Sequence, residues 1–305
     1  MTNNNSKKVT VLMSTYNGGQ FLLAQLNSLY NQTYQDIKIL VRDDGSKDNT
    51  LDLLKAERDK GRLELLHSEH NLGATSSFFV LLKTEKTTDT DYIAFCDQDD
   101  IWETDKIERA VSLLNVIEKP ALYCSRLLVV DEGLSFLNYS SQPRKIGFGN
   151  ALVENIAVGC TMVLNRAAID LLCSRRLPNE VYIHDWWCYL VISAFGEIVF
   201  DTEARIKYRQ HGNNVIGIAS NWCAVWRRKF ARLLSDRLWI SEQALVLYEL
   251  FANHLNQNQL ELLELLLKAK SSFYYRVRLA LSSQVWRQKT VDNVILRFVI
   301  LLNRI

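Results

Sequence analysis

A chain of 305 residues, 48% hydrophobic and 23% charged, can bury a sizeable core and excludes a disordered polymer; it suits one large domain, or one domain with an appendage. A net charge of +2 gives no general attraction to nucleic acid, and none of the cysteines (Cys96, Cys124, Cys160, Cys173, Cys188, Cys223) forms a CxxC pair, so reduced and mostly buried thiols are expected. No apolar run reaches the ~18 residues of a membrane-spanning helix, and the polar residues ahead of Val9 predict no secretory signal, so a cytoplasmic protein is expected.

Val9 to Ser14 is an apolar run closed by Thr15-Tyr16-Asn17-Gly18-Gly19, and predicts a buried strand and a loop. Phe21 to Tyr30 has helical apolar spacing. Ile37 to Val41 predicts a second strand, closed by Arg42-Asp43-Asp44-Gly45-Ser46, and Thr50 to Lys60 a second helix. Leu63 to His67, Ser76 to Lys83 and Tyr92 to Cys96 continue the alternation as strand, helix and strand, ending in Asp97-Gln98-Asp99-Asp100. This pattern predicts an α/β domain with a mostly parallel sheet, whose ligands bind beyond the carboxyl ends of the strands. The three polar loops then share one rim. Further on, Leu122 to Val130, Ile198 to Asp201 and Arg205 to Gln210 predict strands, and Ala167 to Leu172 and His184 to Ala194 helices. Beyond a boundary near residue 220, helices are expected over Trp226 to Leu234, Glu242 to Phe251, Leu260 to Lys268, Tyr274 to Leu281 and Val291 to Leu302. The division is a catalytic domain over 1–220 and a helical region over 221–305.

Three carboxylates in four positions repel one another, so the Asp97 loop calls for a cation or raised pKa values. Carboxylate oxygens that would also face phosphate suit Mg²⁺ or Mn²⁺; a solvated acidic turn opening the next helix is the plain alternative. Asp43 and Asp44 read either as acceptors for nucleobase or ribose donors, or as an Asx turn.

Five segments occur in order: VTVLMSTYN from Val9, RDDGSKDNT from Arg42, DQDDIW from Asp97, HDWW from His184 and YRQHGNNVIG from Tyr208. Together they resemble glycosyltransferase family 2 over roughly residues 8 to 217, and more narrowly the bacterial rhamnosyltransferases of cell-wall or capsular polysaccharide synthesis. The resemblance implies a GT-A fold, a nucleotide-sugar donor and a Mg²⁺ or Mn²⁺ cofactor. By position, Thr15, Tyr16 and Asn17 fall where the family's first loop meets the nucleoside. Asp44 falls where a carboxylate reads the base, with Asp43 as its structural partner. Asp97 and Asp99 match the ends of the DxD motif; Asp99 is the metal ligand, while Asp97 and Gln98 belong to the ribose or donor-sugar side. Asp100 is an extra acid that either binds sugar or caps the helix. Asp185 matches the catalytic base, and His211 a ligand of the metal or diphosphate.

On that basis the acceptor hydroxyl loses its proton to Asp185 and attacks the anomeric carbon, inverting it, while metal and Arg209 offset the leaving charge. Trp186 and Trp187 either desolvate Asp185 or stack on sugar faces; the plain alternative is a helix start with core tryptophans. His211 has a structural alternative as a hydrogen-bonded histidine. Asn155, Gly159, Cys160 and Thr161 form a polar interruption, read as the acceptor side or as a simple turn. His67 and His70 flank a loop into Asn71-Leu72-Gly73, which recurs near the donor in the family.

From Lys268 onward there are eight Lys or Arg and one acid, Asp292, and upstream Trp222, Trp226, Phe230, Leu233 and Leu234 alternate with Arg227, Arg228, Lys229, Arg232 and Arg237. Aromatic and basic residues mixed on helices suit an anionic membrane surface, consistent with a lipid-linked saccharide acceptor and a peripheral place on the inner face of the cell membrane. The alternative is packing on the catalytic domain or on a second subunit as a homo-oligomer. The donor is expected to be dTDP-rhamnose, with a UDP-hexose or UDP-N-acetylhexosamine as alternative; a non-catalytic nucleotide-binding partner in a polysaccharide assembly complex is the reading from another class. A dehydrogenase is disfavoured by the absence of G-x-G-x-x-G in the first loop, and a P-loop kinase by the absence of GK[ST].

Overall fold

The computed structural model describes residues 7–68, 70–178, 181–212 and 238–305, apart from the His67 side chain. The expected helix over Trp226 to Leu234, the boundary near residue 220 and the end of the fifth motif lie outside the described residues. In chain order the elements are β1 (Val9–Thr15), α1 (Leu22–Tyr30), β2 (Ile37–Asp43), α2 (Thr50–Asp59), β3 (Glu64–His67), α3 (Ala74–Glu85), β4 (Tyr92–Cys96) and β5 (Ile101–Trp102). Next come α4 (Lys106–Leu114), β6 (Ala121–Ser125), β7 (Leu128–Val130), β8 (Phe136–Tyr139), α5 (Phe148–Ala151), β9 (Val163–Asn165) and α6 (Arg166–Leu172). The described part ends with α7 (His184–Phe195), β10 (Glu197–Asp201), β11 (Ile206–Arg209), α8 (Trp239–Phe251), α9 (Gln257–Ala269), α10 (Phe273–Leu281) and α11 (Thr290–Leu301).

A seven-stranded sheet runs in the order β10-β6-β9-β4-β1-β2-β3. It is parallel except for β9, which pairs antiparallel with both β4 and β6. Along β1, Val9, Val11 and Met13 enter one apolar cluster and Leu12 the other, so the strand is apolar on both faces because both are covered by helices. In register, Thr15 lies beside Asp43 and Met13 beside Cys96. Parallel strands in that register bring the three expected polar loops to one edge.

A smaller sheet, ordered β5-β11-β7-β8, stands at that edge. Antiparallel pairing of Lys207 with Ile101 carries Arg209 and His211 back toward Asp99 and Asp100. The single strand expected over Leu122 to Val130 is two strands in different sheets. The chain turns between them at Arg126 and Leu127, where Ser140 accepts from Arg126 Nε through its carbonyl (2.8 Å) and from the Leu127 amide through its hydroxyl (2.9 Å).

Helices α8 to α11 are not loosely appended. Leu247, Phe251, Leu263, Leu266, Leu296 and Ile300 share one buried cluster with Trp187 to Ile192 of α7. Residues 284–288 strap across α5: the Trp286 carbonyl accepts from Asn150 Nδ2 at 3.0 Å and Arg287 Nε donates to the Val153 carbonyl at 3.1 Å. Gly149 permits the crossing, because a Cβ there would lie 1.8 Å from the Gln284 carbonyl oxygen. Gly149→Ala is expected to cost about 1–3 kcal/mol by overpacking against backbone, measured as a lowered denaturation midpoint; an unchanged midpoint would show that the strap does not cross so closely.

Candidate active site

Each loop at the rim is braced before any ligand arrives. The carboxylate of Asp43 is buried and accepts from Thr15 Oγ1 (3.0 Å), the Ser46 amide (2.9 Å) and Ser46 Oγ (2.6 Å), tying the first two loops together. Asp43 thus braces the first two loops against each other. Asn17, in a left-handed turn at φ 50°, accepts from the Lys47 amide at 2.8 Å, and Tyr16 stands exposed at the lip. The Gln98 amide is a clip: its oxygen accepts from the Tyr16 N–H (2.9 Å) and its nitrogen donates to the Tyr16 carbonyl (3.1 Å).

Asp44 is also buried. It accepts from the Arg42 guanidinium and from the amides of Leu72 and Gly73, both at 2.8 Å. The Asn71-Leu72-Gly73 loop thus closes over this carboxylate, while His70 contributes its carbonyl to Arg42. Arg42 was not singled out from the sequence, although a cation inside an apolar strand beside two acids is a signal for a buried ion pair.

The third loop gathers the charge. Asp97 and Asp99 are part-exposed, whereas Asp100 is fully buried beneath them. Burial, with repulsion from Asp99 and Asp185, pushes Asp97 up to about 7. Burial likewise pushes Asp100 well above the usual carboxylate range, with Asp99 and Asp97 adding to it. Asp99 Oδ2 lies 2.8 Å from His211 Nε2, so the two residues expected at the metal meet. Donor atoms of Asp97, Asp100 and Cys160 also converge within 4.8 Å of one another. Cys160 and Asp100 are wholly buried and burial holds the thiol protonated, and a soft thiol is a poor ligand for Mg²⁺ or Mn²⁺. The part-exposed oxygens of Asp97 and Asp99, with His211, are the donor set that suits a hard cation at a diphosphate.

Arg209 does not project toward a donor. It is buried; its Nε donates to the Asp99 carbonyl at 2.9 Å, its Nη1 to the Glu132 carbonyl, and its guanidinium lies 4.6 Å over the Phe21 ring. Its backbone amide donates to Asp100 Oδ1 at 3.1 Å. These bonds make Arg209 a brace of the acidic loop, which corrects the expectation of a donor contact. Lys106 was missed altogether. Its ammonium is fully buried under the loop, 3.4 Å over the Trp102 ring, and burial pulls it down to about 7. Its spacing with Ala110 and Leu114 on the buried face of α4 was the available signal.

Asp185 opens α7 and is nearly buried. Its Oδ2 accepts from the Gly159 amide (3.0 Å) and its Oδ1 from the Trp186 amide (2.5 Å), which fixes the carboxylate. Burial pushes it up to about 6, outweighing those donors and Asn155. His184 is stacked on Phe78 at 4.1 Å, and burial lowers it to about 3, so it is a neutral spacer. Of the residues expected on the acceptor side, Trp187 is 1% exposed in the core, and Thr161 is buried with its hydroxyl donating to the Val158 carbonyl at 2.7 Å. Neither offers a face to a sugar, because α7 and the Gly159–Thr161 turn are packed inside the domain. Trp186 is half-buried, its indole N–H donating to the Ala151 carbonyl at 2.7 Å.

The sheet order, the flanking helices and the acidic loop at the rim are those of the GT-A fold. The model of glycosyl transferase family 2 matches residues 10–170, and the chain belongs to that family. It is 26% identical to the dTDP-rhamnosyl transferase RfbG of Shigella flexneri, over 95% of this chain and 99% of that protein. It is 31% identical to WfgD of Escherichia coli, a UDP-Glc:alpha-D-GlcNAc-diphosphoundecaprenol beta-1,3-glucosyltransferase, over 57% of this chain and 66% of WfgD. Among solved structures it is similar to S. aureus TarS 1-349, at TM-score 0.58 and 15% identity, covering 97% of this chain and 80% of TarS; TarS has also been solved with UDP-GlcNAc.

Proposed function

We propose that this chain is an inverting, metal-dependent glycosyltransferase of cell-surface polysaccharide synthesis. It moves L-rhamnose from dTDP-rhamnose to a lipid-linked saccharide at the inner face of the cell membrane. The observation that carries the transferase reading is the meeting of Asp99 and His211 at 2.8 Å in the acidic loop at the rim, together with Asp185 fixed at the start of α7 by the Gly159 and Trp186 amides. The rhamnosyl donor is supported by similarity to RfbG along nearly its whole length. The names of WfgD and TarS keep a UDP-sugar as the second reading. The lipid-linked acceptor is supported by the diphosphoundecaprenol in the name of WfgD. Residues 1–220 form the catalytic unit in this reading and 221–305 the C-terminal region, whose helices α8 to α11 pack on it.

Asp185 takes the proton of the acceptor hydroxyl; that oxygen bonds to the anomeric carbon as the carbon–phosphate-oxygen bond breaks, and the nucleoside diphosphate leaves with the electron pair. Tyr16 and Asn17 hold the nucleoside side and Asp44 the base, while Asp97 takes donor hydroxyls, with Gln98 clipping the loops together. Asp99 and His211 would hold a divalent cation, which would supply Lewis-acid stabilisation of the diphosphate. The test is nucleotide release from a panel of sugar nucleotides with a lipid-linked acceptor mimic, with and without Mg²⁺ or Mn²⁺. Metal-dependent release from dTDP-rhamnose is expected; release from a UDP-sugar alone overturns the donor, and none from any donor favours the non-catalytic partner.

A further inference from the structure

Helix α11 buries one face and leaves the other bare. Leu296 and Ile300 are fully buried, whereas Val291, Val294, Phe298 and Leu302 are 56, 52, 62 and 67% exposed. At 100° per residue the exposed four fall within an arc of about 80°, directly opposite the buried pair. This is a continuous apolar stripe, not scattered apolar side chains. Lys289 and Arg304 stand exposed at its two ends.

The surroundings decide what covers it. The segment from Lys268 to the end holds eight Lys or Arg against Asp292, a net charge of +7 (8 − 1). On the face itself Lys289 and Arg304 are the exposed flanking charges, so a second copy would bring cations against cations, whereas anionic headgroups are attracted to them. Among the described residues no helix is long and apolar enough to cross a bilayer, so the helix is suited to lie in the interface plane.

The helix is also held in a fixed orientation to the catalytic rim. Arg297 donates to the carbonyls of Leu279 (3.3 Å) and Val285 (2.8 Å), and Asn293 Oδ1 accepts from the Arg287 amide at 2.8 Å. Arg287 belongs to the strap across α5, and Asn150 of α5 accepts from the Tyr189 hydroxyl of α7 at 2.9 Å, on the helix that Asp185 opens.

We propose that the exposed stripe of α11, with its basic flanks, is a docking face for an anionic lipid surface, which sets the acceptor side of the rim toward lipid-linked acceptors. The orientation rests on the proposed acceptor; the docking itself does not. The experiment is flotation of the full chain with phosphatidylcholine vesicles or vesicles containing phosphatidylglycerol, at low and high salt. The wild type is expected to float with anionic vesicles, less at high salt, and hardly with phosphatidylcholine alone. Val294→Glu with Phe298→Glu is expected to lower the bound fraction at least about tenfold, and Lys289→Glu with Arg304→Glu to weaken it and its salt dependence. Both positions of the first pair are exposed, so its melting temperature should equal that of the wild type. Failure of the wild type to float, or equal flotation of the glutamate pair, overturns the proposal, as does a wild-type dimer that the pair turns into a monomer. Nucleotide release in solution reports the transferase reading separately: vesicle binding without release from any donor leaves docking standing and the transferase reading lost.

Discussion

Asp185→Asn retains donor binding and loses turnover by about 10²–10⁴-fold, the usual contribution of a positioned general base. The carboxylate is fixed by the Gly159 and Trp186 amides, and burial pushes it up to about 6. Only the ionised form accepts a proton. Turnover of the wild type should therefore rise with pH through about 6 and level off above it, and the variant's residual rate should lack that step. Stability moves the other way. A carboxyl with a raised folded-state pKa contributes stability below its unfolded value near 4, which is lost as pH climbs through 6. Asparagine removes the buried charge but keeps only one acceptor oxygen for the Gly159 and Trp186 amides, and a buried N–H left without an acceptor costs about 1–3 kcal/mol; the variant should therefore melt close to the wild type near pH 7 and lose the wild type's dependence on pH through 6. Nucleotide release, donor titration and thermal melts check the three parts. Turnover near wild type, or loss of donor binding in step with turnover, would sink the assignment.

Asp99→Ala is expected to lower turnover about 10²–10³-fold, the scale of several kcal/mol of charge stabilisation at the diphosphate. Asp99 is part-exposed and sits 2.8 Å from His211, beside Asp97, which its charge helps to push up. Removing one of three crowded carboxylates relieves repulsion, so the variant should melt no lower than the wild type in the presence of chelator. The sharper readout is the response to metal: added Mg²⁺ or Mn²⁺ should raise the wild-type melting temperature and leave the variant's almost unmoved. Wild-type turnover that chelator does not touch would remove the metal from Asp99, as would equal metal responses in the two proteins.

Sequence alone specified the alternation of β1 to β4 with α1 to α3, because apolar runs closed by polar loops are local patterns. Parallel order then followed from handedness and connection length. The motifs likewise pointed to Asp44, Asp97, Asp99, Asp185 and His211 as candidates, because residue type and order are local information. What tertiary structure decided was which of their neighbours face the rim. Trp187 and Thr161 are the kind of residues a sugar site uses, yet their burial depends on how α7 and the Gly159–Thr161 turn pack, which periodicity does not encode. Arg209 looked like a phosphate ligand and is a brace, because antiparallel pairing of β11 with β5 spends its guanidinium on main-chain carbonyls. The break at Arg126 and the antiparallel β9 depend on pairing between distant segments, and such pairing is settled by register in space and not by any local stretch. The bare stripe of α11 belongs to the same class: a helix over Val291 to Leu302 was legible, but only the packing of Leu296 and Ile300 inward showed which apolar residues remain outside.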